Sequence, residues 1–200
     1  MKIVLTLSGG LDSTVLLWHL LNQRHEVRCL SVDYGQRHRR ELEAATEIAK
    51  LVGVEHRIAD LSNLRQFMGG SSQTSDVPVP EGHYAADNMK LTVVPNRNMI
   101  LLAVAGAWAV STKSDSIAYA AHAGDHAVYP DCREEFVKPL SEALWNADWH
   151  QVKIERPFLK MTKAEIAELK DEDMNKLLGV EVNPARITCA TLSLKVVQEK

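Results

Sequence analysis

Seven residues near the start of the chain, Ser8-Gly9-Gly10-Leu11-Asp12-Ser13-Thr14, combine hydroxyls, glycines and one carboxylate at a spacing suited to holding an anion. The apolar run Ile3-Val4-Leu5-Thr6-Leu7 precedes them and reads as a buried parallel strand. Val15, Leu16, Leu17, Leu20 and Leu21 follow at helical spacing, so a helix is expected to open within the stretch. Strand, glycine turn and helix together aim free backbone N–H groups and the positive end of a helix dipole at one point. The two adjacent glycines allow positive φ and let a phosphate approach with no Cβ in the way. Ser8, Ser13 and Thr14 add hydroxyl donors, and Asp12 is placed either to cap the helix or to sit near a metal ion. No G-x-x-x-x-G-K-[ST] string occurs, so this is not a Walker loop.

Other polar groups fall where apolar runs end. Asp33 and Tyr34 follow Val27–Val32 and suit an adenosine, while Arg97 offers a planar fork to phosphate or carboxylate. Asp125, Asp131 and Arg133 bracket Tyr129-Pro130; taken singly, each Asp is better explained as a turn or cap residue. His19 and His25 are expected to be solvated. His38 and His122 stand out more, but no H-x₃-H or H-E-x-x-H pattern makes either a metal ligand. Trp145 and Trp149 are expected to pack rather than to stack on a base.

The elements that must position these groups alternate in type. A second strand over Val27–Val32, a patterned helix over Glu41–Val52 closed by Gly53, and a strand near Glu55–Ala59 follow the first helix. Residues 62–94 carry glycines and prolines that break any period. Pro95 then suits the start of an apolar helix over Met99–Val110. Ser116–Ala120 reads as a strand, Asp131–Trp145 as a helix, Gln151–Ile154 as a strand, and Thr162–Glu165 as a capping box. This alternation indicates an α/β fold, Rossmann-like, with a mostly parallel sheet and helices on both faces. In such sheets ligands sit outside the carboxyl ends of the strands, where the loop at Ser8, Asp33–Tyr34 and His122–His126 all fall.

A chain of 200 residues suits one domain with a substantial core. Its 23 basic and 26 acidic residues give a net charge of −3, without the footprint of a nucleic-acid binder. The local run Arg37-His38-Arg39-Arg40 is explained by a solvated helix start as well as by any ligand. No secretion signal is read at the start, and Met99–Val110 is too short to span a bilayer. Cys29, Cys132 and Cys189 lie far apart without C-x-x-C spacing, which points to a reducing, cytoplasmic setting.

The string S-G-G-x-D-S resembles the loop of the PP-loop ATP pyrophosphatases, which hold ATP and split it to AMP and pyrophosphate. Further strings extend the resemblance: Ser31-Val32-Asp33-Tyr34-Gly35-Gln36-Arg37-His38, Val94-Pro95-Asn96-Arg97-Asn98 and Tyr129-Pro130-Asp131-Cys132-Arg133. With Glu81-Gly82-His83-Tyr84 and His122-Ala123-Gly124-Asp125-His126, they are similar in order and spacing to the 7-cyano-7-deazaguanine synthase family, from residue 3 to about 170. The resemblance implies an adenine nucleotide alpha hydrolase-like fold over residues 1–170. It also implies an ATP-dependent ligase that turns 7-carboxy-7-deazaguanine and ammonia into a nitrile through an acyl-adenylate and an amide.

On that resemblance Leu7, Ser8, Gly9, Gly10, Leu11, Asp12, Ser13, Thr14, Asp33 and Tyr34 are the ATP-binding candidates, with Mg²⁺ at the phosphates. Asp12, Ser13 and Arg97 are the catalytic candidates. Gln36, Arg37, Arg97, Asp125, Asp131 and Arg133 are the substrate-side candidates. The implied partners are small molecules, with no membrane and no direct nucleic acid, and a homodimer is allowed.

The chain departs from that family at its end. The family closes with a Cys after Thr or Ser and then a C-G-x-C-x-x-C cluster that binds zinc. Here Thr188-Cys189 matches the first position and no further cysteine follows. One thiolate does not close a four-ligand site, so zinc is not expected in this chain, and residues 171–200 are expected to be a divergent tail. The alternatives to nitrile synthesis are arrest at the 7-amido product, adenylation of another acceptor, or nucleotide binding without turnover.

Overall fold

In β1 (Lys2–Thr6), Ile3 and Leu5 belong to one apolar cluster and Val4 to another, and all three are buried. A strand buried on both faces needs a layer of helices on each. The computed structural model, which describes residues 1–36, 40–71 and 93–169, shows both layers. Among the described residues the other strands and α-helices are α1 (Leu11–Asn22), β2 (Glu26–Asp33), α2 (Arg40–Val52), β3 (Glu55–Asp60), α3 (Arg97–Ser111), β4 (Ser116–Ala118), α4 (Glu134–Asn146), β5 (Lys153–Glu155) and α5 over 163–169. Among the described residues all strand pairings are parallel, in the order β3-β2-β1-β4-β5.

The expected α/β sheet with helices on both faces is therefore what forms. Leu16 of α1, Ile48 of α2, Phe158 and Ile166 pack on Ile3, Leu5 and Cys29. Leu102 and Trp108 of α3 and Val137 of α4 pack on Val4, Leu30, Val32 and Ile117. The chain steps from β1 to β2 and β3 on one side, and after α3 it returns to build β4 and β5 on the other. The strand order thus reverses at β1, and a crevice opens at its carboxyl end. Among the described residues no helix is long and apolar enough to cross a membrane.

Local differences from the sequence reading have physical causes. Only Gly9 of the two loop glycines has positive φ, at 82°; Gly10 is at −77° and is the N-cap of α1. Asp12 is therefore not a cap but a first-turn residue. Pro95 lies in a turn, and α3 begins at Arg97 behind Asn96, which has φ 54° and provides no side-chain cap. Asp131 supplies the missing acceptor from a distant loop, receiving the Asn98 N–H at 3.3 Å. The helix expected from Asp131 divides into a 3₁₀ turn at Pro130–Cys132 and α4 from Glu134, with Arg133 extended between them. Trp149 does not pack: it is 103% exposed. Trp145 lies beneath the Lys153 ammonium, 5.7 Å from its ring centroid. The capping box forms, with Glu165 Oε2 accepting from Thr162 N at 2.7 Å and Thr162 Oγ1 accepting from Glu165 N at 3.3 Å.

Gly9 is where the loop meets α2. A Cβ there would overlap the Glu41 carbonyl oxygen and stand 2.9 Å from Ala45 N, whereas at Gly53, with φ 71°, it would meet nothing within 4 Å. Gly53→Ala is expected to cost only left-handed strain, about 1–2 kcal/mol. Gly9→Ala adds a backbone overlap and is expected to cost about 3 kcal/mol in urea unfolding.

Candidate active site

The crevice at β1 is a cleft of about 330 Å³, within the size range of small-molecule sites. One wall is the loop between β1 and α1. Its geometry is held by its own hydroxyls: Ser13 Oγ accepts from Ser8 N at 3.2 Å, lies 3.0 Å from Ser8 Oγ and donates to Gly10 O at 3.1 Å. Ser8 Oγ accepts from Gly10 N at 3.2 Å, and Thr14 Oγ1 donates back to Gly10 O at 2.8 Å. No side chain caps α1, so the start of the helix is left to an anion.

Asp12 stands in that first turn. Its Oδ2 lies 3.7 Å from His122 Nε2 and 3.6 Å from Lys163 Nζ, while Oδ1 is buried and has no hydrogen-bond partner. His122, 4% exposed, accepts from Gly124 N through Nδ1 at 3.0 Å. That bond leaves the proton of the neutral ring on Nε2, facing Asp12 and, at 3.5 Å, Asp125 Oδ1. Asp125 Oδ2 in turn accepts from His122 N at 3.1 Å. An orphaned carboxylate oxygen in a cleft also lined by two serines offers hard oxygen donors, which fit Mg²⁺ completed by phosphate oxygens and water. Among the described residues no group of three or more His, Cys, Asp or Glu could hold a metal by itself.

The opposite wall carries Arg97. Its guanidinium lies 5.7 Å from the Tyr129 ring centroid and is electrostatically coupled to the Tyr34 hydroxyl. Burial works against its charge, but Tyr34, Asp131 and Tyr129 more than offset that and push its pKa upward. Burial likewise raises the Tyr34 hydroxyl, with Arg97 pulling it back in part. Beside them, Asn98 Nδ2 donates to Cys132 Sγ at 3.5 Å, and Tyr119 presents a buried hydroxyl with no partner.

Leu7, Ser8, Gly10, Asp12, Ser13, Tyr34, Gln36, Arg97 and Asp125 of the sequence candidates line this one cleft. Gly9, Leu11 and Thr14 shape the loop without lining it. Asp33 Oδ1 accepts from Gly35 N at 2.9 Å, and Gln36 spans Tyr34 N and Val32 O at 2.9 and 3.2 Å, so both hold the turn after β2. Asp131 caps α3, and Arg133 Nε donates to His126 O at 2.7 Å, tying two 3₁₀ turns together outside the cleft. Arg37, His38, Cys189 and the tail from 171 lie outside the described residues. Residue-type reasoning did not select Tyr119, Tyr129, Asn98 or Lys163 for the site. The position of Tyr119 at a strand's end and of Lys163 just after a cap was the available signal.

A loop of this kind at the strand-order reversal of a parallel sheet defines a PP-loop enzyme, and this chain is one. The solved structures share that fold. A 4-thiouridine synthetase in an RNA complex with bound ATP superposes with a TM-score of 0.57 at 19% identity, over 86% of this chain and 40% of that one. The U34-tRNA thiolase NcsA of Methanococcus maripaludis gives 0.54 at 17%, over 99% and 67%. A relative named 7-cyano-7-deazaguanine synthase, from Pseudoalteromonas translucida (strain TAC 125), is 50% identical over 165 residues, covering 82% of this chain and 76% of that protein. The family model described as queuosine biosynthesis protein QueC matches residues 2–189, and the chain belongs to that family.

Burial pushes the thiols of Cys29 and Cys132 up to about 12, helped at Cys132 by Asp125 and Asp131. Neither is therefore expected to react with iodoacetamide at pH 8 in the folded protein, and both are expected to react in urea, as read by peptide mass spectrometry. The unfolded chain releases these protons near 9.0 and the native state near 12, so stability is expected to be full below pH 9 and to fall as pH rises toward 12.

Proposed function

We propose that this protein converts 7-carboxy-7-deazaguanine, ammonia and ATP into 7-cyano-7-deazaguanine. The observation that carries the reading is that an uncapped helix start after the glycine loop and the half-buried Arg97 line one cleft. The name borne by the relatives supplies the substrate class.

The chemistry asks for what the cleft offers. A carboxylate resists attack by ammonia until one of its oxygens becomes a leaving group. Its oxygen attacks the α-phosphorus of ATP, the bond to the bridging oxygen breaks, and pyrophosphate departs, leaving an acyl-adenylate. Ammonia then adds to the acyl carbon, AMP leaves, and a proton is lost to give the amide. A second ATP activates the amide oxygen in the same way. Departure of AMP with loss of the two remaining N–H protons closes the nitrile.

Each step develops charge on phosphate oxygens, so stabilising that charge is the main task. Backbone N–H groups at the start of α1 and the hydroxyls of Ser8 and Ser13 face the phosphates in this reading. Asp12, with those hydroxyls, would hold Mg²⁺, which supplies charge neutralisation to the phosphates when bound. Arg97 remains charged at any working pH and neutralises the substrate carboxylate before transfer. Tyr34, Gln36 and Asp125 line the same cleft, and in this reading Tyr34 serves the adenosine and Gln36 and Asp125 the substrate.

No covalent intermediate with a side chain is needed, and the Cys132 thiol stays protonated in the cleft wall, which suits catalysis by positioning. The substrate proposed is the free deazapurine rather than a base within RNA. A net charge of −3 gives a polynucleotide little to hold.

Incubation with ATP, ammonium and 7-carboxy-7-deazaguanine is expected to yield AMP and the nitrile by mass spectrometry. Accumulation of the amide alone would shorten the proposed sequence to its first half. Absence of both AMP and product would overturn the reading. Asp12→Ala is expected to lower turnover by roughly a hundredfold or more.

A further inference from the structure

Nitrile synthesis puts two substituents in one cleft in turn, and they differ as hydrogen-bonding groups. A carboxylate only accepts, whereas the carboxamide that replaces it accepts at oxygen and donates at nitrogen. Arg97 has donors alone, so it matches both oxygens of the acid and only one atom of the amide. Keeping the amide in place until the second ATP activates it requires a group that also accepts.

Tyr119 is such a group. It follows β4 directly, lines the cleft with Arg97, Asn98 and Cys132, and is 6% exposed. Its N–H donates to Glu155 O at 3.3 Å, which fixes its place beside β5. It packs in the apolar layer that also holds Cys132, next in the chain to the Asp131 that faces Arg97. Its hydroxyl is shut off from water and has no hydrogen-bond partner among the described residues. Burial raises the pKa of that hydroxyl, with Cys132, Asp131 and Asp125 adding to the rise and Arg156 opposing it, so it keeps its proton. It thus has one hydrogen to give, lone pairs to receive with, and a C–O bond about which the hydrogen turns.

Neighbouring polar groups are engaged elsewhere. Asn98 Nδ2 donates to Cys132 Sγ at 3.5 Å and Thr6 Oγ1 to Ala118 O at 3.4 Å, while Gln36 holds the turn after β2. Asp125 is set on His122, and Tyr34 and Tyr129 are set against Arg97. A buried hydroxyl without a partner is unfavourable, so the free protein gains nothing from Tyr119 that a phenylalanine would not supply.

We propose that Tyr119 is a specificity residue for the group being transformed, donating to a carboxylate oxygen of the acid and accepting from the N–H of the amide. This role rests on the nitrile-forming reading above. The hydroxyl keeps its proton throughout, so it holds the intermediate and does not react with it. Its larger effect falls on the amide, because Arg97 already serves the acid.

Equilibrium binding of 7-carboxy-7-deazaguanine and of its 7-carboxamide to the full chain tests this, wild type against Tyr119→Phe, with melting recorded without ligand. Turnover with ATP and ammonium, read by mass spectrometry, gives the ratio of released amide to nitrile. Tyr119→Phe is expected to weaken the amide roughly tenfold and the acid roughly threefold or less. It is also expected to raise the share of released amide and to melt at or above the wild-type temperature. Unchanged amide binding and release would overturn the role, and so would an equal loss for both ligands, which marks a general change of the cleft. Melting well below wild type would overturn it too, since the hydroxyl would then already serve the fold. Wild type that makes the nitrile while Tyr119→Phe behaves identically removes the tyrosine's role alone; wild type that binds neither ligand removes the deazapurine reading and the role with it.

Discussion

The burial of β1 from both sides is the constraint on which the rest of the structure depends. Ile3 and Leu5 serve one helical layer and Val4 the other, so the strand can only lie in the middle of the sheet. With β2 on one side of it and β4 on the other, the connections diverge at its carboxyl end and leave a crevice there. The loop that follows must turn sharply into α1 within that crevice, and Gly9 allows the turn because its α-carbon lies against the backbone of α2. Core packing and anion seat are consequences of the same strand.

The site is polar at low cost because most of its groups satisfy one another. Ser8, Gly10, Ser13 and Thr14 form a closed set of hydrogen bonds, and His122 and Asp125 cap the same 3₁₀ turn reciprocally. The exceptions are informative. Asp12 Oδ1 and the Tyr119 hydroxyl are buried without partners, and both belong to residues that line the cleft. Leaving such groups unpaired is unfavourable in a folded interior, and a ligand is the ordinary remedy.

The fold was readable because apolar runs of five or six residues alternated with helices of clear period, and because Gly53 and the Thr162 cap punctuate them unambiguously. The phosphate loop was readable because its residue types are unusual in company. What periodicity does not report is which side chains cross between elements. Asp131 looked like a ligand residue and is the cap of a helix that starts thirty-odd positions earlier, a pairing that only the folded chain creates. Arg133 likewise spends its Nε on the turn at His126, and Asp33 spends an oxygen on the turn that directly follows it. Lys163 escaped notice for the opposite reason, since a lysine after a helix cap is ordinary until Asp12 is found beside it. Trp149 was expected inside by residue type alone, and no apolar surface reaches it.

Two helices begin at the cleft, and they differ in one respect. The start of α3 is already filled by the Asp131 carboxylate, which also faces Arg97, whereas the start of α1 carries no side-chain cap. Of two equivalent dipole ends, one is plugged from within and one stands open. An elongated ligand with a charged end and a flat end is therefore offered a single polarity, and the cleft reads its direction before any group on the ligand is recognised.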